Sequence, residues 1–178
     1  DIAALKKLGI QVEIIKTPKT FNEICEQTIY IGALVGNTSE AEKVIQSSKL
    51  VVEDIRQKSK KLSKSKIFFQ VGANPIFTVL QNTFMDDFIT FCNGENIAAG
   101  MTKGTMTRES ILLKNPDVII IATMGGFGIE EQKIWNTYTG MSAVIKEKVF
   151  TISSETSCSP TPANFVSALQ DVYNFVSQ

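Results

Sequence analysis

The sequence contains no histidine, the side chain that serves most often as a general base and as a metal ligand. A Ser-His-Asp or Cys-His catalytic mechanism is therefore excluded. The three cysteines, Cys25, Cys92 and Cys158, include no Cys-x-x-Cys pair, so neither a disulfide scaffold nor a structural zinc site is expected. We expect the cysteines to be buried apolar side chains, and we expect no metal site and no cofactor.

The chain also lacks an excess of either charge, because 18 Lys and Arg residues balance 18 Asp and Glu residues. A balanced charge gives no electrostatic basis for binding nucleic acid or an anionic membrane surface. No apolar run reaches the roughly 18 residues that a membrane-spanning helix needs. A hydrophobic fraction of 43% in 178 residues is that of a globular protein with a substantial core.

Strand and helix patterns alternate over the second part of the chain and predict an α/β fold. Predicted strands lie at 66–71, 117–123 and 148–152, and predicted helices at 82–94, 107–115, 128–138 and 161–177. Thr107 and Thr161 are candidate N-caps. Because the strands are apolar on both faces, we expect a three-layer lobe in which helices cover both sides of a parallel sheet.

A long helix is predicted before this lobe, because residues 38–63 lack proline and glycine and carry apolar residues at helical spacing. Ser39 and Glu42 form a candidate capping box at its start. The preceding residues predict a helix end, a strand through Val12, Ile14 and Ile15, and a second helix. That second helix opens with a capping box of Thr20 and Glu23. We therefore divide the chain into an N-terminal segment (1–37), a long helix (38–64) and an α/β lobe (65–178).

The stretch VIIIATMGGFGIEEQKIW (118–135) places a glycine-rich turn between a strand and a helix, which is how many proteins cradle phosphate. The dinucleotide fingerprint is incomplete, because Glu130 and Glu131 occupy the region where its third glycine belongs. A P-loop lysine is absent as well. The turn either begins the helix or lines a pocket with Phe127. The alternative is an enzyme domain that binds a nucleotide or a phosphorylated ligand at 125–128, with Glu130, Glu131 or a lysine as base.

Ligands of such sheets bind beyond the carboxyl ends of the strands, so the loops there hold the candidate site residues. Each candidate also has an ordinary explanation. Asn74 suits a turn, and Phe77 suits the core or a pocket wall. Lys103 is compatible with an ordinary place on a loop surface or with contact to an anionic ligand. Glu155 suits a solvated loop, and Glu109 suits the first turn of a helix.

Taken in order, these segments resemble the ABC-transporter solute-binding proteins for iron siderophores, haem and vitamin B12. The resemblance covers nearly the whole chain and depends on the order and spacing of its motifs. They are LKKLGIQVEII (5–15), the long helix, KIFFQVGANPIF (66–77), FCNGENIAAG (91–100), MTRESILLKNPDVIII (106–121), KVFTISS (148–154) and the last helix. The implied architecture is two α/β lobes joined by a rigid backbone helix.

The resemblance implies a non-enzymatic receptor that holds a chelate between its lobes and delivers it to an ABC permease and its ATPase. It implies a periplasmic or otherwise extracytoplasmic protein, with or without a lipid anchor. The residues it assigns to the ligand are Asn74, Phe77, Lys103, Phe127, Ser154 and Glu155. Glu109 aligns with the family's glutamate that docks on the permease. Lys103 replaces an aromatic residue of the cobalamin receptors, so an anionic ferric siderophore or haem suits this position better than cobalamin.

The same resemblance implies that the first lobe is represented only by its last helix, strand and helix. We therefore expect the chain alone to bind ligand weakly or not at all. Residues 1–35 should then be displaced or covered by a neighbouring copy, which makes a dimer an open possibility. A receptor for bare metal ions is disfavoured, because such sites favour histidine ligands.

Overall fold

The computed structural model describes residues 2–123 and 126–178. The helices are α1 (Ile2–Lys7), α2 (Phe21–Leu34), α3 (Thr38–Ser59), α4 (Phe84–Phe91), α5 (Arg108–Lys114), α6 (Gly128–Asn136), α7 (Ser142–Ile145), α8 (Ser154–Ser157) and α9 (Pro162–Ser177). The strands are β1 (Ser65–Ala73), β2 (Ile76–Thr78), β3 (Gly94–Asn96), β4 (Thr105–Met106), β5 (Val118–Ala122) and β6 (Val149–Ile152). Within the described ranges, no helix combines the length and the apolar character needed to cross a bilayer.

The strands form one sheet in the order β4-β2-β1-β5-β6, and β3 pairs with the first residues of β1. Strands β1, β3, β5 and β6 are parallel, whereas β2 and β4 add antiparallel pairs at one side. All five residues of β5 are buried, as expected for a strand covered on both faces. The predicted α/β lobe is therefore confirmed, with a short antiparallel extension that the sequence did not indicate.

Two apolar clusters lie on opposite faces of the sheet and complete the three layers. One cluster joins α2, α3, α4 and α9, and at its centre the Phe165 ring lies 4.6 Å from Phe21 and 4.7 Å from Phe88. The other cluster lies under α5, α6 and α7, where Trp135 packs edge-on against Phe68 at 5.7 Å. Two of the three cysteines, Cys25 and Cys92, are buried as predicted.

The predicted long helix is α3, whose 22 residues span about 33 Å. It begins at Thr38 with Asn37 as its N-cap residue, so the predicted Ser39–Glu42 capping box is wrong. Ser39 already lies inside the first turn, where a side chain cannot cap the helix. By contrast, the hydroxyls of Thr20, Thr107 and Thr161 accept hydrogen bonds from the backbone three residues later, as predicted.

The strand predicted through Val12, Ile14 and Ile15 is not formed, and residues 10–18 are irregular. A strand needs a neighbour for its backbone groups, and no described strand pairs with this segment. Local contacts hold it to α2 instead: the Tyr30 hydroxyl donates to Glu13 at 2.7 Å, and Ile14 stays 69% exposed. The N-terminal segment is thus helix, irregular segment and helix, and the division of the chain into three parts stays a prediction.

Candidate functional site

The carboxyl ends of the parallel strands meet at one edge of the sheet, as the predicted site requires. Gln70 of β1 lies opposite Ile121 of β5, and Ala122 lies opposite Ile152 of β6. The Thr123 amide donates to the Ile152 carbonyl at 3.0 Å, which keeps the next two loops side by side. The loops that carry Asn74, Phe127 and Ser154 therefore all leave the sheet at this edge.

Asn74 and Phe77 lie where β1 turns back into β2. Asn74 is exposed in a two-residue turn with a cis peptide bond to Pro75. Phe77 lies opposite Gly72 in the ladder, and a β-carbon on Gly72 would come within 2.9 Å of the Phe77 ring. The absence of a side chain at Gly72 lets the ring lie on the β1 backbone. Because Phe77 keeps 42% of its surface exposed, its ring offers an apolar face to a ligand.

Phe127 is half-buried directly before α6, and its carbonyl accepts the Glu131 amide at 2.9 Å. Of the turn assigned to the phosphate alternative, Gly125 lies outside the described residues and Gly126 has a φ of 81°. Gly128 fits closely, since a β-carbon there would be 2.8 Å from Thr123. The turn thus brings α6 tightly against the end of β5 and places Phe127 at the candidate site.

The two proposed bases of the enzyme alternative have different surroundings. Glu130 is exposed, whereas Glu131 is buried and accepts from the Arg108 guanidinium at 2.7 and 2.8 Å. Both oxygens of Glu131 are therefore engaged by side chains of the protein, which leaves the carboxylate poorly placed to act as a base on a ligand. Sequence reasoning missed this pair. The sequence gives one indication of a buried polar contact, which is the polar residue Gln70 within the apolar strand KIFFQV.

Ser154 and Glu155 begin the single turn of α8 after β6. Ser154 is half-buried and Glu155 is exposed. The Asn164 side chain donates to the Glu155 carbonyl at 3.3 Å, which attaches this turn to α9. Both residues therefore flank the same edge as Phe127, from the β6 side.

Lys103 does not lie beside Asn74. Thr105 pairs with Phe77, and the Gly104 carbonyl accepts the Thr78 amide at 2.8 Å. This register places Lys103 level with the residues after Thr78, away from the turn at Asn74. Its side chain is exposed.

An apolar cavity of about 460 Å³ lies beside the end of β2 and was not predicted. Its walls come from the N-terminal segment and from the lobe. They are Thr17, Pro18, Lys19, Val71, Thr78, Val79, Leu80, Asn82, Thr83, Phe84 and Met85. Its volume is within the range of small-molecule sites, roughly 300–1,000 Å³. The cavity extends the candidate surface from Phe77 toward residues 17–19.

Glu109 is fully exposed in the first turn of α5, on a different element from the ligand candidates. Its own backbone amide and the Thr107 hydroxyl hydrogen-bond the carboxylate and lower its pKa below 4.5. The side chain is therefore a fixed negative charge that is available to a basic partner.

Groups of three His, Cys, Asp or Glu side chains that suit a metal ion do not occur among residues 2–123 and 126–178. The candidate residues comprise two aromatic rings, one of them exposed, together with an amide, a lysine, a hydroxyl group and a single carboxylate. Such a set suits an organic or chelated ligand better than a bare cation.

The sequence pattern of the periplasmic binding protein family matches residues 2–156. The chain belongs to this family. The family is one of binding proteins, and membership does not support the enzyme alternative at 125–128. The resemblance inferred from the motifs is thereby confirmed.

Two relatives illustrate the similarity. A substrate-binding lipoprotein of an ABC transporter, YvrC of Bacillus subtilis, is 28% identical over 159 residues, covering 86% of this chain and 50% of that protein. The vitamin B12-binding protein of Vibrio cholerae is 24% identical over 165 residues, covering 91% and 58%. The chain thus spans about half the length of the curated relatives it matches.

Solved structures show the same fold. The periplasmic vitamin B12-binding protein BtuF of Vibrio cholerae superposes with a TM-score of 0.83 at 23% identity, covering 99% of this chain and 68% of that one. IsdE of S. aureus, complexed with haem, gives a TM-score of 0.78 at 15% identity, covering 98% and 71%. Identities this low establish the architecture, and the ligand has to be argued from the residues.

Proposed function

We propose that this chain is part of the solute-binding component of an ABC importer, which captures an iron chelate or cobalamin and delivers it to a membrane permease. The observation that carries the proposal is the edge of the sheet, where Asn74, Phe77, Phe127, Ser154 and Glu155 lie around the strand ends. Two of these side chains are aromatic, and a flat or macrocyclic ligand gains most from such surfaces. Family membership supports the same role.

We propose that the ligand is an anionic chelate, such as a ferric siderophore or haem, rather than cobalamin. Lys103 supplies the one positive charge among the six predicted ligand residues, and its exposure lets the ammonium group reach a carboxylate of the ligand. The apolar cavity lined by Thr78, Val79 and Leu80 would hold the nonpolar part of the same molecule.

The proposed partners are the permease and its ATPase, with Glu109 as a docking carboxylate. A charged residue at the rim of an interface mainly orients the encounter and accelerates association. The proposed location is the outer face of the cytoplasmic membrane or the periplasm. A lipid anchor, as in the YvrC lipoprotein, is part of the proposal.

We further propose that the N-terminal segment associates with another protein surface, which a second copy of the chain supplies when it is studied alone. Exposed apolar side chains concentrate there, including Leu8, Ile14, Ile31 and Val35. A concentration of exposed apolar side chains supports an interaction site in this segment. Sedimentation that shows a monomer up to high concentration contradicts the second-copy proposal.

The ligand proposal is tested by titrating the chain with haem, a ferric hydroxamate and cobalamin, each followed by calorimetry and by native mass spectrometry. We expect the two anionic ligands to bind more tightly than cobalamin, with weak affinity for this chain alone. The Lys103→Gln variant should weaken the anionic ligands by about tenfold or less, as for a solvent-exposed charge. Lys43→Gln, which alters an exposed lysine on α3, is the matched control. Tight binding of a nucleotide with no response to any chelate contradicts the proposed function.

A further inference from the structure

A closed network of four side chains joins α5, α6 and β1 beneath the candidate site. The Arg108 guanidinium donates to both oxygens of Glu131 at 2.7 and 2.8 Å. Gln70 donates to Glu131 at 2.8 Å and accepts from the Trp135 indole at 2.7 Å. The guanidinium carbon lies 4.7 Å from the centre of the Trp135 ring, which closes the loop. We call these four residues the Arg108 network.

Net stability does not account for the Arg108 network. Gln70 and Trp135 are completely buried and Glu131 is 5% exposed. A buried ion pair gains little over an apolar pair of similar size, because its desolvation offsets its attraction. The second amino group of Arg108 is buried without an acceptor among the described residues, which adds a further cost. What such a network provides is geometry, since each partner admits few orientations of the others.

Each end of the Arg108 network adjoins a residue with a proposed role. Arg108 directly precedes Glu109, the proposed docking carboxylate. The Glu131 amide donates to the Phe127 carbonyl at 2.9 Å. Gln70 also donates to the Gly72 carbonyl at 3.0 Å, and Gly72 lies opposite Phe77 in the sheet. The docking helix and both ligand-facing aromatic residues are therefore attached to one buried unit.

Building on the proposed function, we propose that Arg108 and Glu131 are positioning residues that fix Glu109 relative to Phe77 and Phe127. The permease-facing and ligand-facing surfaces are held in register by this ion pair and by the stack on Trp135. Arginine is required, because lysine reproduces the charge but not the planar contact of the guanidinium with the indole.

The first test measures amide hydrogen exchange in the 178-residue chain. We expect Arg108→Gln to accelerate exchange at the start of α5 and over residues 127–131 together, by about tenfold or more. Trp135 is the single tryptophan of the sequence, so its fluorescence should shift as well. The control Lys146→Gln removes the exposed Lys146–Asp117 pair of 2.7 Å and should change neither region. Faster exchange confined to α5 contradicts the proposal.

The second test separates positioning from general stability. The double variant Arg108→Met/Glu131→Leu replaces the ion pair with apolar side chains, which should restore the urea midpoint toward that of the unaltered chain. We expect its association with the detergent-solubilised permease to stay weaker by about tenfold, as it does for Glu109→Gln. A double variant that associates normally contradicts the positioning role. If Glu109→Gln associates normally, Glu109 is not a docking residue. The hydrogen-exchange result then still shows whether the Arg108 network couples α5 to residues 127–131.

Discussion

Two regions of the chain differ in how far their apolar side chains are exposed. One is the N-terminal segment together with the long helix α3, and the other is the α/β lobe. In the lobe, Ile119, Ile120 and Ile121 are completely buried side by side. In the N-terminal segment, Ile14 is 69% exposed and Leu8 is 76% exposed. One face of α2 and α3 does join the main core, through Ile24, Ile45 and Ile55 among others. The core of the lobe is thus closed in part by α2 and α3, while the apolar residues on the far side of the N-terminal segment stay exposed.

The comparison is tested most strongly by the same substitution in each region. Ile120→Ala should lower the free energy of unfolding by about 2–5 kcal/mol, because it leaves a cavity in a closed core. Ile14→Ala should change it by less than about 0.5 kcal/mol, because the side chain is already in water. Urea unfolding followed by circular dichroism measures both. Equal losses in the two variants would show that the irregular segment 10–18 is packed in solution.

The attachment of the two regions is tested next, at the hydrogen bond from the Phe21 amide to the Asp87 carboxylate, 2.8 Å long. Asp87→Ala leaves the first turn of α2 without this acceptor and should lower stability by about 1 kcal/mol. It should also expose residues near Phe21 to proteolysis before the lobe is cut. Asp54→Ala, which removes an exposed partner of Lys58 on α3, is the control and should leave the digestion pattern unchanged.

Acid should destabilise the lobe through protonation of Asp117. Burial alone would raise the pKa of Asp117, but hydrogen bonds from Lys146, the Lys66 amide and Ser142 outweigh it and lower the pKa below 3.8. The carboxylate therefore stabilises the fold above the unfolded pKa, and this contribution is lost as the pH falls through the lower folded value. In Asp117→Asn, stability should fall less steeply with acid below about pH 4.

Asp171 should change the pH dependence of stability in the opposite direction. Burial raises the pKa of Asp171 above 3.8, so its proton is bound more tightly in the folded chain. Its contribution favours folding at low pH and declines as the pH rises through this window. In Asp171→Asn, stability should therefore fall more steeply with acid than in the unaltered chain. The same direction of change in both variants would contradict the assignment.

The smallest effect is expected in the N-terminal segment at Tyr30. The Tyr30 hydroxyl, followed by Gln11, hydrogen-bonds Glu13 and lowers its pKa below 4.5. In Tyr30→Phe the pKa of Glu13 should return toward 4.5, as a carboxyl titration by NMR will show. The thermal midpoint should not move, because both side chains are exposed. A lower midpoint would mean that this local contact supports the fold.

Sequence reasoning succeeded where the determinants are local or strongly periodic. The N-caps Thr107 and Thr161 were predictable because a hydroxyl and the amide three residues later are close in any helix start. The buried strand β5 was predictable from its unbroken apolar run. The strand through Ile14 failed, because its apolar residues match a strand while the pairing partner is a matter of tertiary structure.

The site was predictable in outline and not in detail. The loop positions follow from the rule that ligands bind beyond the carboxyl ends of the strands, which places Phe127 and Ser154 together. The position of Lys103 depends on the pairing of Thr105 with Phe77. Neither of these short strands has a sequence pattern that specifies the antiparallel register. The partner of Glu131 lies 23 residues away on another helix, so only the folded chain reveals it.

The contact between the tilted rings of Phe21 and Phe165, 4.6 Å apart, joins α2 to α9. On a ribosome, Phe21 lacks this aromatic partner until α9 is made. At about 5 to 20 residues per second, Phe21 waits on the order of 10 s for Phe165. The core around Phe165 can therefore close only after α9 has been made, and until then this part of the nascent chain is open to chaperones and to transport in an unfolded state.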